Sequence, residues 1–199
     1  MPLIRRPSLP SESSAADTTA SLTHGTSDER WAAARAAAVQ PGGVALLAAA
    51  LAQERDPRVL EAIFTGLARA GTAQSAAAVL PLIRSHDASL RAGALDALRA
   101  MPEASSPHVP RLLADPDADV RLLSCELVRG LPEGEANRLL CDLLDREAEK
   151  NVAAAAVEVL AEIGRSEALP ALARCAERFA GDAFLAFSIK VATDRIDGP

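Results

Sequence analysis

The sequence contains four copies of one helical pattern, spaced roughly 30 to 32 residues apart. Each copy carries an apolar series at offsets 0, 4, 7, 8 and 11 from a register residue, which is one stripe of an α-helix. The register residues are Val59, Leu90, Val120 and Val152. A single helix of this length cannot bury its stripe alone, so neighbouring copies must stack around a shared core. We therefore predict an all-α fold.

The signals that start and stop these helices repeat as well. An acidic residue lies three positions before each register residue, where it can accept hydrogen bonds from free N–H groups at the helix start. These residues are Asp56, Asp87, Asp117 and Glu149. A Gly or Pro follows twelve positions after each register residue, and a second apolar segment comes next, at 79–83, 109–113, 139–144 and 169–172. Each copy is therefore predicted to be a hairpin of helix A, a short turn and helix B.

Two segments carry a family resemblance. Asp115–Arg121, which reads Asp-Pro-Asp-Ala-Asp-Val-Arg, and Ile163–Leu172 resemble the short HEAT repeat known as the PBS-lyase HEAT-like repeat. The resemblance extends over about residues 27 to 196. It implies a right-handed α-solenoid of about five HEAT-like helical hairpins with degenerate capping repeats. It does not specify a function, because such repeats serve many unrelated tasks.

The first 26 residues have a different composition, rich in Ser, Thr and Pro and without helical periodicity. Segments of this kind cannot bury enough apolar surface to fold. We therefore predict a disordered N-terminal tail at 1–26 and a HEAT-like α-solenoid domain at 27–199.

Both ends of the predicted solenoid have the features of capping repeats, in which one face packs on the neighbouring repeat and the other is exposed to solvent. At the first end, Trp31 takes the register place and is expected to pack on the next repeat. At the far end, we expect the buried stripe to continue through Ala183, Phe187 and Val191. The phenylalanines expected to seal that end are Phe179, Phe184 and Phe187.

The composition argues against several classes of partner. The 21 basic residues are outnumbered by 27 acidic ones, for a net charge of −6, and only 3% of residues are aromatic. A surface that binds nucleic acid needs cations for the phosphates and aromatic rings for the bases, so we expect no nucleic-acid partner. No signal peptide is visible, and the apolar stretch at 44–52 is too short to cross a membrane. We expect no membrane partner and a cytoplasmic location.

The sequence shows no recognisable catalytic or metal-binding motif. The histidines are His24, His86 and His108, and the cysteines are Cys125, Cys141 and Cys175. No His-Glu pair occurs, so the iron ligands of the HEAT-repeat deoxyhypusine hydroxylases are missing. The odd number of cysteines, without CxxC spacing, indicates buried thiols in a reducing compartment. We expect no cofactor and no metal.

One pattern on the predicted B helices suggests a binding face. Relative to Leu82, Leu112, Leu139 and Leu172, each B helix has an arginine at offset −1 or +2, and these two offsets share one helix face. In HEAT solenoids the B helices line the concave side, where such a row could bind carboxylates. The alternative is an ordinary solvated helix face. The predicted site consists of Arg84, Arg111, Arg138, Asp142, Arg174 and Arg178.

The sequence thus predicts a non-enzymatic scaffold or adaptor that binds another protein, with an acidic segment, on the concave helix-B face. The family resemblance associates such chains with bacterial signalling or assembly systems. The alternative function is a bilin-lyase-like enzyme or an accessory enzyme subunit, because phycobilin lyases gave this repeat its name. The partner, the pathway and the oligomeric state are left open.

Overall fold

The computed structural model describes residues 12–198, with side chains from residue 16 onward. Within this range the chain is helical and contains no strand, so the predicted fold class, an all-α solenoid, is confirmed. Short 3₁₀ turns occur at Leu80–Arg84, Ser106–His108, Val128–Gly130 and Ser166–Ala168. The α-helices are α1 (Glu12–His24), α2 (Ser27–Ala37), α3 (Gly43–Leu51), α4 (Pro57–Ala70), α5 (Ala73–Val79), α6 (Ala88–Arg99), α7 (Pro102–Ser105), α8 (Val109–Leu112), α9 (Ala118–Leu127), α10 (Glu133–Arg146), α11 (Lys150–Ile163), α12 (Leu169–Arg178) and α13 (Ala183–Ile196).

The four predicted A helices are α4, α6, α9 and α11. Their apolar stripes are buried; in α4, for example, Val59, Ile63 and Leu67 have no exposed surface. Asp56 accepts hydrogen bonds from the backbone N–H groups of Arg58 (2.9 Å) and Val59 (3.3 Å), as predicted for a helix cap. Asp87 and Asp117 cap α6 and α9 in the same way.

The fourth predicted cap is wrong. The side chain of Glu149 makes no capping hydrogen bond at the start of α11. Instead Glu147, two residues earlier, accepts from the backbone N–H groups of Ala148 and Glu149, both at 3.0 Å. Glu147 thus bonds the turn before the helix, while the first turn of α11 has no side-chain cap.

The B segments are less regular than the A helices, and proline explains the difference. Proline lacks an N–H group and its ring clashes with the preceding turn, so it interrupts a helix interior. Helix α5 ends at Val79, and Pro81 lies in the 3₁₀ turn that follows. Pro107 lies in the 3₁₀ turn between the short helices α7 and α8. Helix α10 has no proline after its N-terminal cap, Pro132, and runs unbroken for 14 residues.

The predicted register of the last helix is wrong by two residues. In α13 the buried residues are Leu185, Ile189 and Ala192, whereas Phe184 and Phe187 are 71% and 66% exposed. Asp182 fixes this register, because its carboxylate accepts from the backbone N–H of Leu185 at 3.0 Å. The spacing from cap to register residue is thus three, as in the earlier copies, and these two phenylalanines do not seal the C-terminal end.

A helix occupies much of the segment predicted to be a disordered tail. Helix α1 packs against α2 and α3, and its Leu22 is only 7% exposed. This is a correction for residues 12–24: one well-placed leucine and several small side chains are enough for a helix to dock on an existing core. The rest of the predicted tail, residues 1–11, lies outside the described residues, and the domain boundary at residue 27 stays a prediction.

The chain divides into two compact units. The first comprises residues up to 82 together with 87–101, and the second comprises 83–86 together with residues from 102 onward. In the first unit, α4 lies at the centre and contacts α2, α3, α5 and α6. Trp31 of α2 contacts α4 as predicted, because the guanidinium of Arg58 lies 4.5 Å from its ring centre. In the second unit, α11 packs between α9 and α13, and α10 and α12 pack on each other.

Candidate partner-binding face

All six residues of the predicted site lie in the second unit and are exposed. Arg84 ends the 3₁₀ turn Leu80–Arg84, and Arg111 lies in α8. Arg138 and Asp142 lie one turn apart in α10, and Arg174 and Arg178 lie one turn apart in α12. The B segments therefore carry the predicted row, but its members have different surroundings.

Arg84 forms an ion pair with Asp115 within the chain. The Asp115 carboxylate is largely buried, and it also accepts from the backbone N–H of Asp117 at 3.0 Å. A buried carboxylate without a partner is costly, so the guanidinium of Arg84 compensates a charge that the fold itself places there.

Arg174 and Arg178 bind the end of the preceding B helix. Nε and Nη2 of Arg174 both donate to the Asp145 carboxylate at 2.9 Å, and this hydrogen bonding raises the pKa of Arg174. Arg178 donates to the carbonyl oxygens of Leu144 and Asp145, the latter at 3.2 Å. Carbonyl groups at a helix C-terminus have no partner in their own helix, so Arg178 caps α10.

An arginine also caps the C-terminal end of a B helix one repeat earlier. Arg146, at the end of α10, donates to the carbonyl oxygen of Leu113 at 3.1 Å, directly after α8. Arg146 and Arg178 are one repeat length apart in the sequence, and this spacing is the signal that could have identified them as a pair. Arg146 and Arg178, which lie outside the −1/+2 arginine row, are therefore caps that join successive B helices within the second unit.

Arg111 and Arg138 are the members that the fold leaves available. Within residues 16–198, the side chain of Arg111 makes no hydrogen bond or ion pair, and it is exposed. Arg138 makes a single 3.2 Å contact with Asp142 on its own helix, and both side chains are more than half exposed. Exposed pairs of this kind contribute about 0 to 1 kcal/mol, so Arg138 can exchange Asp142 for a carboxylate of a partner at little cost.

Sequence reasoning missed a second repeated feature, a buried acid five positions before the register residue. Glu54, Asp115 and Glu147 occupy this position in three of the four copies, and all are less than 9% exposed. Glu147 accepts from Nε and Nη2 of Arg121 at 2.8 Å, and Glu54 accepts from Arg30 at 2.7 and 3.2 Å. These acids hold the turn before three of the four A helices, α4, α9 and α11, and their regular spacing was visible in the sequence.

The pKa values of two of these acids are set by competing effects. For Glu147, burial is the largest single effect and raises the pKa, but the hydrogen bonds from Arg121 and from the backbone of Glu149 and Ala148 outweigh it. The same balance, with Arg30 as the cation, lowers the pKa of Glu54. Both side chains are therefore charged at neutral pH despite their burial.

The described part of the chain holds no group of three or more His, Cys, Asp or Glu residues placed to bind a metal ion. Burial raises the pKa of the Cys125 thiol to about 12, so this thiol is protonated and not nucleophilic at neutral pH. None of the helices in residues 12–198 has the length and apolar character needed to cross a bilayer.

Comparison with known proteins supports the repeat assignment. A family model described as HEAT repeats matches residues 105–182, which confirms the HEAT resemblance for that segment. Crystal structures of two engineered proteins align with TM-scores of 0.43 and 0.46, at 18% and 17% identity, covering 91% and 92% of this chain and 95% and 98% of theirs. A designed armadillo repeat protein aligns at a TM-score of 0.42 and 16% identity, covering 90% of this chain and 98% of its own. No curated protein matches the sequence.

Proposed function

We propose that this chain, whose residues 105–182 match a family model of HEAT repeats, is a non-enzymatic protein-interaction scaffold that binds an acidic partner segment on the B-helix face of its second unit. A fold of this kind generally serves as a scaffold for protein interactions. In our proposal Arg111 and Arg138 make the main contacts with the partner. Arg84, Arg174 and Arg178 border the face and hold its helices in place.

One observation carries this proposal. The face has six predicted site residues, and the fold uses the charge of Arg84, Arg174 and Arg178 internally while leaving Arg111 without a partner. A guanidinium presents five N–H donors in a planar fork that matches a carboxylate. A solvent-facing arginine on α8 and a weakly paired one on the next B helix, α10, are therefore suited to bind the acidic side chains of an extended or helical segment.

The test uses charge reversal with a matched control. The variant Arg111→Glu with Arg138→Glu should fold normally, because neither side chain supports a buried group. It should lose at least tenfold in affinity for the partner, since like charges would then face each other. The control Arg69→Glu with Arg99→Glu makes the same change of net charge on A helices of the first unit and should bind as the wild type does.

The partner is found by comparing proteins captured from the native host by the wild type, the variant and the control, followed by titration calorimetry at increasing salt. Binding through exposed arginines should weaken as salt rises. An unchanged affinity of the Arg111/Arg138 variant for the captured partner would refute the proposed face. A covalent change in the mass of the partner after incubation would refute the non-enzymatic role and favour a lyase-like activity.

A further inference from the structure

A tryptophan on α2 holds two arginine side chains. The guanidinium carbon of Arg35 lies 4.7 Å from the centre of the Trp31 ring, and that of Arg58, on α4, lies 4.5 Å from it. A cation within about 6 Å of a ring centre is attracted by the quadrupole of the ring. The tryptophan therefore fixes both guanidinium groups at the surface between α2 and α4.

Helices α2 and α4 leave a groove between them, within the first unit. Trp31 lies beside Arg58 towards one end, and at the other end a β-carbon on Gly66 would lie 3.0 Å from that of Ala38. The groove has a volume of about 490 Å³. Val39, just after the end of α2, lines the groove and is 79% exposed. An apolar side chain of a partner could therefore be covered here.

The two arginines on the tryptophan ring differ in how their charge is used. Arg58 forms an ion pair with Asp28. Within residues 16–198, the side chain of Arg35 makes no hydrogen bond or ion pair, and its ring contact is with the tryptophan. The other charged residues that line the groove, Glu61 and Arg69, are opposite in sign. Arg35 therefore gives the groove a net positive charge.

The repeat pattern does not require an arginine at position 35. Arg35 lies nine residues after Thr26, the residue that precedes α2. At the same distance from the residue that precedes each helix, α4, α6, α9 and α11 carry Thr65, Asp96, Glu126 and Glu158. A threonine or an acid is therefore usual at this place, and α2 departs from the pattern by carrying the opposite charge.

Stacking on the ring leaves the hydrogen-bonding capacity of Arg35 intact. A guanidinium has five N–H donors that lie in its own plane, so a ring against its face uses none of them. Because the ring also restrains the side chain, Arg35 loses less conformational entropy when an acid binds than a freely moving arginine would. Arg35 is thus held in place for a carboxylate that the described part of the chain does not supply.

We propose that Arg35 and Val39 form a docking site for an amphipathic partner helix that carries a carboxylate and an apolar side chain four residues apart. Arg35 and Val39 are themselves four residues apart and line the same groove. The carboxylate pairs with Arg35, and the apolar side chain one turn away covers Val39. All these residues belong to the first unit, so the proposal is independent of the proposed function on the B-helix face.

The fluorescence of Trp31 tests this proposal, because it is the only tryptophan and the chain has no tyrosine. The probe is a synthetic helical peptide without aromatic residues, with glutamate and leucine four residues apart along one face. Its matched control has lysine in place of each glutamate. The glutamate peptide should change the Trp31 emission saturably, and the lysine peptide should bind at least tenfold more weakly. This preference runs against the net charge of −6, so a local cation must produce it.

Variants of Arg35 identify that cation. Arg35→Glu should reverse the preference, because the lysine peptide then meets the opposite charge. Arg35→Gln should abolish the preference, and it gives the readout if the glutamate variant folds poorly. The control Arg99→Glu makes the same charge change on α6, outside the groove, and should keep the wild-type preference. Because both arginines are exposed, these variants should melt within a few degrees of the wild type.

The variant Arg111→Glu with Arg138→Glu separates this site from the B-helix face and should give the wild-type titration. A signal that disappears in this variant would place the peptide on the B-helix face and overturn the groove proposal. No saturable change up to millimolar glutamate peptide would overturn it as well. So would an unchanged preference in Arg35→Gln, since Arg35 would then only stabilise α2 through Trp31. An equal effect of Arg99→Glu would also overturn it, because the response would follow net charge alone.

Discussion

Glu147 illustrates how single residues stabilise the turns of this fold. Its carboxylate is almost fully buried in the turn before α11. It accepts two hydrogen bonds from Arg121 and two from backbone N–H groups. Arg121 in turn donates to the carbonyl oxygens of Asp115 and Pro116, at 2.9 and 3.1 Å. One ion pair therefore joins the turn before α9 to the turn before α11, and Arg30 with Glu54 forms a similar pair in the first unit.

The substitution Glu147→Gln should be strongly destabilising. The amide keeps the shape of the carboxylate but loses its charge and turns one acceptor into a donor that faces Arg121. Hydrogen bonds to charged groups contribute about 1.5 to 3 kcal/mol, so we expect the free energy of unfolding to fall by about 2 to 3 kcal/mol. Urea denaturation measures this value. The control Glu149→Gln changes an exposed carboxylate without a cap bond and should have little effect; an equal loss would contradict the assigned role.

The lowered pKa values of Glu54 and Glu147 predict a pH dependence of stability. In the unfolded chain these carboxyls titrate near the ordinary value of about 4.3, so at lower pH the unfolded state binds more protons than the folded state. Their contribution is therefore complete above about pH 4.3 and is lost as the pH falls through the folded values. The free energy of unfolding should decrease from pH 5 to pH 3, and less steeply in Glu147→Gln. Parallel curves for the two proteins would contradict this linkage.

At the scale of helices, the sequence predicts best where two signals coincide. The register of α4, α6 and α9 follows from an Asp cap and an apolar stripe at fixed spacing, and the structure has both; α11 has the stripe but not the predicted cap. In α13 the phenylalanines suggested a stripe, but Asp182 caps the helix in a different register. The exposure of Phe184 and Phe187 could not be predicted from hydrophobicity alone, because an exposed apolar row and a buried stripe have the same helical periodicity.

The B-helix face was predictable only as a pattern of positions. The arginines lie on the B segments, as the sequence pattern predicts. The pairing of Arg84 with Asp115 and of Arg174 with Asp145, however, depends on contacts between repeats about 30 residues apart. A sequence pattern gives the face on which a residue lies, whereas the neighbouring helix decides whether its charge is already satisfied. For that reason the sequence could not separate Arg111 from Arg174.

Helix α9 offers a direct test of the stripe. Leu127 is 4% exposed in α9. The substitution Leu127→Asp would place an unpaired charge in this packed region, which costs several kcal/mol and is comparable to the total stability of a typical domain. We expect loss of the cooperative thermal transition, measured by circular dichroism. The control Ala92→Asp lies on an exposed position of α6 and should melt within a few degrees of the wild type; similar melting of both variants would refute the assigned register.

At the scale of the molecule, stability depends on each helix covering its neighbour. The core consists mainly of Ala, Leu and Val, since only 3% of the residues are aromatic, and small side chains leave little contact area within a single hairpin. Val157 and Leu160 of α11 have no exposed surface, and α13 packs directly on this helix. The terminal helix therefore shields the apolar residues of α11 in the second unit from solvent.

Removal of this cover should destabilise the second unit. A chain that ends after residue 180 lacks α13 and leaves apolar residues of α11 in water. Exposing one buried valine or leucine costs about 1.5 to 3 kcal/mol, so the loss of several such contacts approaches the whole stability of a domain. We expect a lower melting temperature and aggregation on heating, measured by circular dichroism and light scattering. A control chain that ends after Asp197 keeps α13 and should melt like the wild type. If the chain ending at residue 180 kept the wild-type melting temperature, α13 would not contribute to the core of the second unit, and that core would be complete without it.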